Sequence, residues 1–544
     1  MFRMKPSSST FLTWLSVQHR GKSLVLLVFA STITAALVAH LFCWMNTLFG
    51  HDSLLIVQMD QAKEIALGRP FQHIYLYFRG LIVAPWLIGV VGTTFLALSN
   101  LVICRTLDIH SRGFIIAFCC IMTTSPFLTL LNATYITWYD VYMLALLLSC
   151  IAALLCKSYR YGWIPGAVLV CLSMGLYSAY LQVTIILLAG ICLVGLLRNK
   201  SKLHFSFYAR AIGMIIAGVL LYLLAAKGAQ IFSNISESTS YNSLTSAFQF
   251  SGAFIQELAH AWLSPPLYLL FPETHMVRAS GLANLILMTI LIITVIRLCG
   301  KNRLQKHQVA LVALITGLMP LFSNVVGLAA ANNTHSLMIY SYYLFYGILL
   351  ACLEITSHPP APAAQHSDND KRRLRYGFDN VAKTISILLV LLLSVSNTIY
   401  ANQIYLKKEL EYQSTLSIMT GFSERLESIP DYIPGKTPVV FYGSFADSPY
   451  YSGIRKGFPP SSDQLPFDDQ GNFTKYSVGL GADISLYGPE QVKRYYGFIL
   501  GRPIKIVEYA NLDDSRKARF GSMPVYPLDG SIVFDKDVVL IRLS

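Results

Sequence analysis

The sequence predicts a polytopic α-helical membrane protein of about eleven transmembrane helices, followed by a small C-terminal α/β domain outside the membrane. Three observations predict it. The 544 residues are 54% hydrophobic and only 13% charged, with a mean hydropathy of +0.51, far more apolar than a soluble chain of this length. The apolar residues are gathered into runs near the roughly 20 residues that a spanning helix needs. Lys and Arg fall in alternate connections between those runs.

The expected spans, in order, are Leu24–Phe49, Val83–Ile103, Phe114–Leu131, Val141–Cys156, Trp163–Leu176, Val183–Leu197 and Ala211–Ala226. Asn284–Leu298, Val309–Val326, Ser336–Ile355 and Asn380–Tyr400 complete the eleven. The first run is too long for a removable signal peptide and no small-residue cleavage site follows it.

Orientation follows from the cations. Arg3, Lys5, Arg20 and Lys22 place the N-terminus in the cytoplasm, and Arg105/Arg112, Lys157/Arg160, Arg198/Lys200, Arg297/Lys301 and Lys371–Arg375 mark the later cytoplasmic connections. Eleven spans then leave the C-terminus outside. The net charge of +13 is on this reading a topology and lipid-headgroup signal, and no nucleic-acid partner is expected. The ten cysteines, all between Cys43 and Cys352, read as core thiols with no disulfide framework or metal spacing.

The chain divides into a membrane module, 1–400, with external loops at 51–82 and 227–282, and a tail, 401–544. The loop 227–282 carries Phe248, Phe250, Phe254, Ile255 and Leu258 at near-helical spacing, then Trp262, Pro265 and Pro266. It reads as one or two helices in the outer interface, or equally as a packed cover over the spans. Ser357–Gly377, with three prolines and a basic cluster, reads as a flexible cytoplasmic linker. The tail opens with a helix through Leu426, followed by strands at Pro438–Ser444, Ile504–Tyr509 and Val538–Leu543 and a helix at Glu490–Leu500. It has no nucleotide-binding glycine fingerprint.

The first external loop concentrates the chemistry. His51 to Arg79 holds Asp52, Asp60, Glu64, Lys63, Arg69, His73 and Arg79 among aromatics. No nucleotide sugar reaches that face of a membrane, so an enzyme there takes its activated group on a lipid carrier. Sugar transfer from a polyprenyl phosphate needs a carboxylate to deprotonate the acceptor hydroxyl, and cations to hold the leaving phosphate. Asp52, at the end of the first span, leads as the base, with Asp60 and Glu64 in reserve. Arg69, His73 and Arg79 are the phosphate and substrate contacts. Charged residues of an external loop are also simply solvated in most proteins, and Tyr and Trp at span ends are most often interface anchors. Further substrate contacts at external span ends are Asp140, Tyr177, Gln182 and His335. A metal ligand set is absent; no cofactor is expected, and a divalent metal stays open.

At this point the chain resembles the bacterial O-antigen glucosyltransferases of the Gtr type II kind, polytopic enzymes of the GT-C class. The likeness is carried by HDSLLIVQMDQAKEIALGRP (51–70), by the turn Leu176-Tyr177-Ser178-Ala179-Tyr180, and by a tail opening Ala401-Asn402-Gln403-Ile404-Tyr405 and closing MPVYPLDGSIVFDKDVVLIRLS. It implies transfer of a glucosyl group from undecaprenyl-phosphate glucose to an O-antigen or lipopolysaccharide precursor at the periplasmic face, with an acid of the first loop, here Asp52, as base. Two departures stand out. Paired acids are common where this chain has His51-Asp52, and Tyr-Gln where it has Tyr177-Ser178. Two other classes compete. A flippase of a lipid-linked sugar would carry ionisable residues within its spans and show repeat symmetry. A non-catalytic scaffold of envelope assembly would use the tail as its binding module.

Overall fold

A computed structural model describes residues 16–46, 48, 61–198, 205–236, 254–271, 279–329, 336–356, 369–443 and 489–544. Among these, nine helices are long and apolar enough to cross a membrane, and two shorter apolar helices, Trp163–Leu176 and Tyr340–Thr356, accompany them. Among the described residues each of the eleven expected runs contains helix, with breaks at Thr124–Ser125, Asn324 and Ile339. The protein is a polytopic helical membrane protein with a small sheet-bearing region at its C-terminal end.

The helices that position the site are α1 (Gly21–Met45), α2 (Gln61–Ala66), α3 (Pro70–Arg79), α4 (Pro85–Leu107), α5 (Arg112–Thr123), α6 (Pro126–Thr134), α7 (Tyr139–Ser158), α8 (Trp163–Leu176) and α9 (Leu181–Leu197). Proline stands at the start of α3, α4 and α6, where its missing N–H costs nothing and its fixed φ favours the first turn. A single apolar core runs through the spans and includes most of the cysteines, all of them free thiols. After α10 (Phe205–Phe232) come α11 (Phe254–Leu270), α12 (Ser280–Lys301), α13 (Lys306–Ser323), α14 (Val325–Ala329) and α15 (Leu344–Thr356).

The 227–282 insertion contains the helix α11, packed on α13. The pair Pro265-Pro266 lies inside it. Pro265 has no N–H to offer the carbonyl of Ala261 four residues back. The Asn324 side chain donates to that carbonyl instead, at 3.0 Å. Phe248 and Phe250 lie outside the described residues.

The span expected at Asn380–Tyr400 is part of one helix, α16, running from Asn369 to Glu427. It therefore begins inside the stretch expected to be a linker. The three prolines precede it, and the charged residues from Asn369 onward are good helix formers. It also crosses the expected domain boundary at 400/401 without a break. Tyr400, Ala401, Ile404, Tyr405 and Lys408 are buried on one stripe against the spans. Met419, Phe422 and Leu426, farther along, are buried against the sheet. The same helix thus ties the two regions together.

The sheet has strands β1 (Pro438–Tyr442), β2 (Lys505–Ile506), β3 (Ile532–Asp535) and β4 (Val538–Arg542) in the order β2-β1-β4-β3. β1 is parallel to both β2 and β4, and β3 is antiparallel to β4. The sequence reading missed β3, which is four residues long and joined to β4 by a tight turn with Lys536 at φ 60°. The segment Ile504–Tyr509 pairs only over Lys505–Ile506. Period-2 alternation splits the faces: Val439, Phe441, Val539 and Ile541 meet α16, whereas Val440, Val538 and Leu540 pack with Phe520 of α18 (Asp514–Phe520). The short helix α17 (Pro489–Arg494) is followed by a π-helical stretch, Tyr495–Leu500, that adds Tyr495 and Tyr496 to the α16 side.

Candidate functional site

The site is built on α3, a ten-residue helix lying over the ends of α7 and α8 away from the basic connections. One stripe of α3, at spacing i, i+3, i+4, i+7, carries Gln72, Tyr75, Leu76 and Arg79. Gln72 and Leu76 are buried, and Gln72 Nε2 donates to the Leu176 carbonyl at 2.6 Å. The opposite side exposes Ile74, Tyr77 and Phe78, the last at 81%. An outward face this apolar on a short helix suits the boundary between lipid and water. Close docking depends on Gly175 in α8, where a Cβ would collide with the Phe71 ring.

Arg79 closes the helix and pairs with Asp140, the second residue of α7 (Nη1–Oδ1 3.1 Å). The Asp140 side chain is fully enclosed and that of Arg79 is 5% exposed. Burying two charges is favourable only when the remaining hydrogen-bonding positions are filled. They are: the Tyr75 hydroxyl donates to Asp140 Oδ2 at 2.8 Å and the Val141 N–H to Oδ1 at 2.9 Å. Arg79 also donates to the Thr137 carbonyl at 2.9 Å. Burial, then the Asp140 carboxylate, push the Tyr75 phenol well above its usual range, so it stays a proton donor.

This trio lines a cavity of about 270 Å³ together with Phe78, Leu87, Ile88 and Val91. Its lining thus combines four apolar side chains with a tyrosine and an ion pair.

A second cluster surrounds the start of α3. Arg69, its N-cap, meets Glu64 of α2 at 3.2 Å and lies over the Tyr177 ring at 5.1 Å from its centre. Tyr177 stacks on Tyr142 with centroids 4.2 Å apart, and Tyr180 closes the group edge-on. Glu64 is itself buried. Tyr222 donates to the Gly68 carbonyl at 3.0 Å, fixing the turn that carries Arg69.

The structure brings Glu64, Arg69 and Tyr177 together, and separately Arg79 and Asp140. Ten helical residues keep the two arginines about 15 Å apart along the axis, each against its own carboxylate. His73 lies between them on α3, its Nδ1 buried without a hydrogen-bond partner. Gln182 Nε2 donates to the Met338 carbonyl, and its Oε1 is buried without a partner. Asp52, Asp60 and His335 lie outside the described residues. Among the described residues, no three His, Cys, Asp or Glu side chains are grouped as a metal ion would need.

Sequence reasoning missed three polar contacts near this end. Trp44 Nε1 donates to Asn132 Oδ1 at 2.8 Å, and the Trp44 ring stacks with Tyr139. The buried His40 bridges Tyr405 of α16 (2.7 Å from Nδ1) and the Thr123 carbonyl (2.9 Å from Nε2). A carbonyl only accepts, so Nε2 carries the proton and Nδ1 accepts from Tyr405. Tyr75, also given no role in the sequence reading, had a readable signal in its position between Gln72 and Arg79. The others had none, because their partners are distant in the chain.

The described residues thus form a multispan helical module with a buried Arg–Asp–Tyr cluster at one end, and a small sheet toward the C-terminus. The family described as Glucosyl transferase GtrII matches residues 41–352, more than half of the chain, and the protein belongs to that family of glucosyl transferases. No curated protein matches it.

Proposed function

We propose that the protein transfers a glucosyl group from a polyprenyl-phosphate donor, undecaprenyl-phosphate glucose, to an O-antigen or lipopolysaccharide precursor. The reaction takes place at the periplasmic face of the inner membrane, on the same side as the tail. The single observation that carries this reading is the cavity at α3. Its apolar walls suit a prenyl chain, and the Arg79 guanidinium in its lining suits a phosphate. The exposed apolar face of α3 gives such a lipid a route in from the bilayer.

In this mechanism the acceptor hydroxyl oxygen attacks the anomeric carbon of the donor sugar as the bond from that carbon to the phosphate oxygen breaks. Asp52 takes the hydroxyl proton, with Asp60 and Glu64 as alternatives. The phosphate leaves with its charge held by α3, where Arg79 is aimed by Asp140 and Tyr75. Arg69 and Tyr177 hold the sugar, joined by His73, Gln182 and His335. Of these, Asp140 acts through Arg79 and is a positioning residue.

The test is expression of the full chain in a strain of known O-antigen, followed by structure determination of the altered repeat unit. A new glucosyl branch is expected. Asp52→Asn should cut the modification by about 10²-fold or more at unchanged protein level. An unmodified repeat unit with the wild-type chain would refute the function, and full modification by the Asp52 variant would refute the base.

A further inference from the structure

The sheet order β2-β1-β4-β3 has a particular consequence at the border of β1 and β4. From β1 the chain crosses to β2 on one side, and β4, on the other side, is reached only after β2. The border of two parallel strands where the order reverses is the switch point of an open α/β sheet. Ligands bind there, in the crevice beyond the carboxyl ends of the strands.

In this protein that crevice is aromatic. Tyr442 ends β1 on the face away from α16 and is 39% exposed. The buried ring of Phe520 backs it, stacked at 5.3 Å and 26°. Tyr509, half-buried, completes the group at 5.1 Å from Tyr442 and 5.6 Å from Phe520. The Lys517 ammonium lies 6.0 Å above the Tyr509 ring. Gly443, at φ +86°, follows Tyr442 directly, and a side chain there would run into Ser544.

We propose that this aromatic shelf binds the carbohydrate chain of the acceptor, a reading that rests on the proposed function for the choice of a glycan. Sugar rings offer one face of C–H groups to an aromatic ring and present their hydroxyls at the edge. Two tyrosines whose rings are held by packing supply such faces at little entropic cost, and the phenol hydroxyls and Lys517 supply edge partners. The shelf is remote from the chemistry. Some twenty helical residues of α16 separate the end of its span, Leu406, from Leu426 under the sheet, about 30 Å of rise. It therefore grips a distal part of a polymer and leaves the reacting hydroxyl to the mouth of the spans. Preference for polymeric over short acceptors follows.

The test uses the full chain in lipid nanodiscs and, as probe, the polysaccharide released from the host lipopolysaccharide by mild acid. Tyrosine iodination read by mass spectrometry should show Tyr442 and Tyr509 protected at least fivefold by the polysaccharide, with Tyr161, 65% exposed in a basic connection, unprotected. In transfer assays Tyr442→Ser should raise KM for the polymeric acceptor about tenfold, leaving kcat and hydrolysis of the donor unchanged, and Tyr442→Phe should restore KM. Absence of selective protection, or an unchanged KM in Tyr442→Ser, overturns the proposal. Protection needs no transfer. Glucosyl transfer without protection therefore sinks the shelf alone, whereas selective protection with no transfer upholds the shelf and sinks the proposed function.

Discussion

The protein buries an acidic side chain at each end of its helical module, and the two are satisfied in different ways. At the basic end, Glu354 of α15 accepts from the Ser111 N–H and hydroxyl (3.0 and 2.7 Å), from Gln18 (3.0 Å) and from the His110 N–H (3.3 Å). Close by, Asp108 holds Lys157 at 3.0 Å and also Arg198. At the opposite end, Asp140 is held by an arginine and a tyrosine from one short helix, and it borders a cavity. Glu354 ties the segment before α1 and the α4–α5 turn to α15 through four uncharged donors, and its role is to fix topology. Asp140 holds a buried cation at the border of a cavity. Burial of an acid alone does not distinguish structure from chemistry; the partner's charge and the neighbouring cavity do.

The largest expected effect comes from breaking the Asp140 side. Asp140→Ala leaves Arg79 buried without its counter-charge, a loss of about 3–5 kcal/mol, and removes the group that aims Arg79. Thermal unfolding in detergent should show the destabilisation, and transfer per folded molecule should fall by about 10²-fold. Glu354→Ala should cost about 2–4 kcal/mol through its stranded donors, while transfer per folded molecule stays normal. Equal loss of specific activity in both variants would erase the contrast.

A finer probe is Tyr75→Phe, which removes one hydrogen bond to Asp140 and keeps the ring in the cavity wall. A loss of about 1 kcal/mol of stability is expected, with a several-fold rise in KM for the donor. An unchanged KM would mean that Arg79 is held by Asp140 without help from the phenol.

How much of this was legible in the sequence depends on how local each signal was. The eleven helical runs were legible, since an apolar run in a membrane protein declares itself residue by residue. Of the site, α3 was half legible. Arg79 and Asp140 stood out as charges beside apolar runs, but their pairing joins residues 61 positions apart and has no signature in one sequence. Nothing local to Pro265-Pro266 tells that one helix runs through it, because the side chain that repairs the helix, Asn324, is supplied by a different element. The strand β3 was too short to alternate visibly, and α16 hid its continuity because its polar C-terminal part resembles the start of a new domain.

The smallest effect sharpens the basic end. His110 sits between α4 and α5 with its backbone N–H on Glu354. Burial lowers its pKa below the usual 6.5, Glu354 and Asp108 oppose the shift, and Arg20 and Arg198 add to it. The folded protein therefore favours the neutral ring, and the unfolded chain binds more protons as the pH falls through 6.5. The sign follows from linkage: the stabilising preference is fully present above that pH and is lost as the pH drops below it. Unfolding temperature in detergent should decline between pH 7 and pH 5, and His110→Asn should flatten that decline without touching the Glu354 contacts made by Ser111 and Gln18. An identical decline in the variant would assign the acid sensitivity to other groups of the Asp108 cluster, and the basic end would then be an anchor whose strength is set by its ion pairs and not by the imidazole packed beside them.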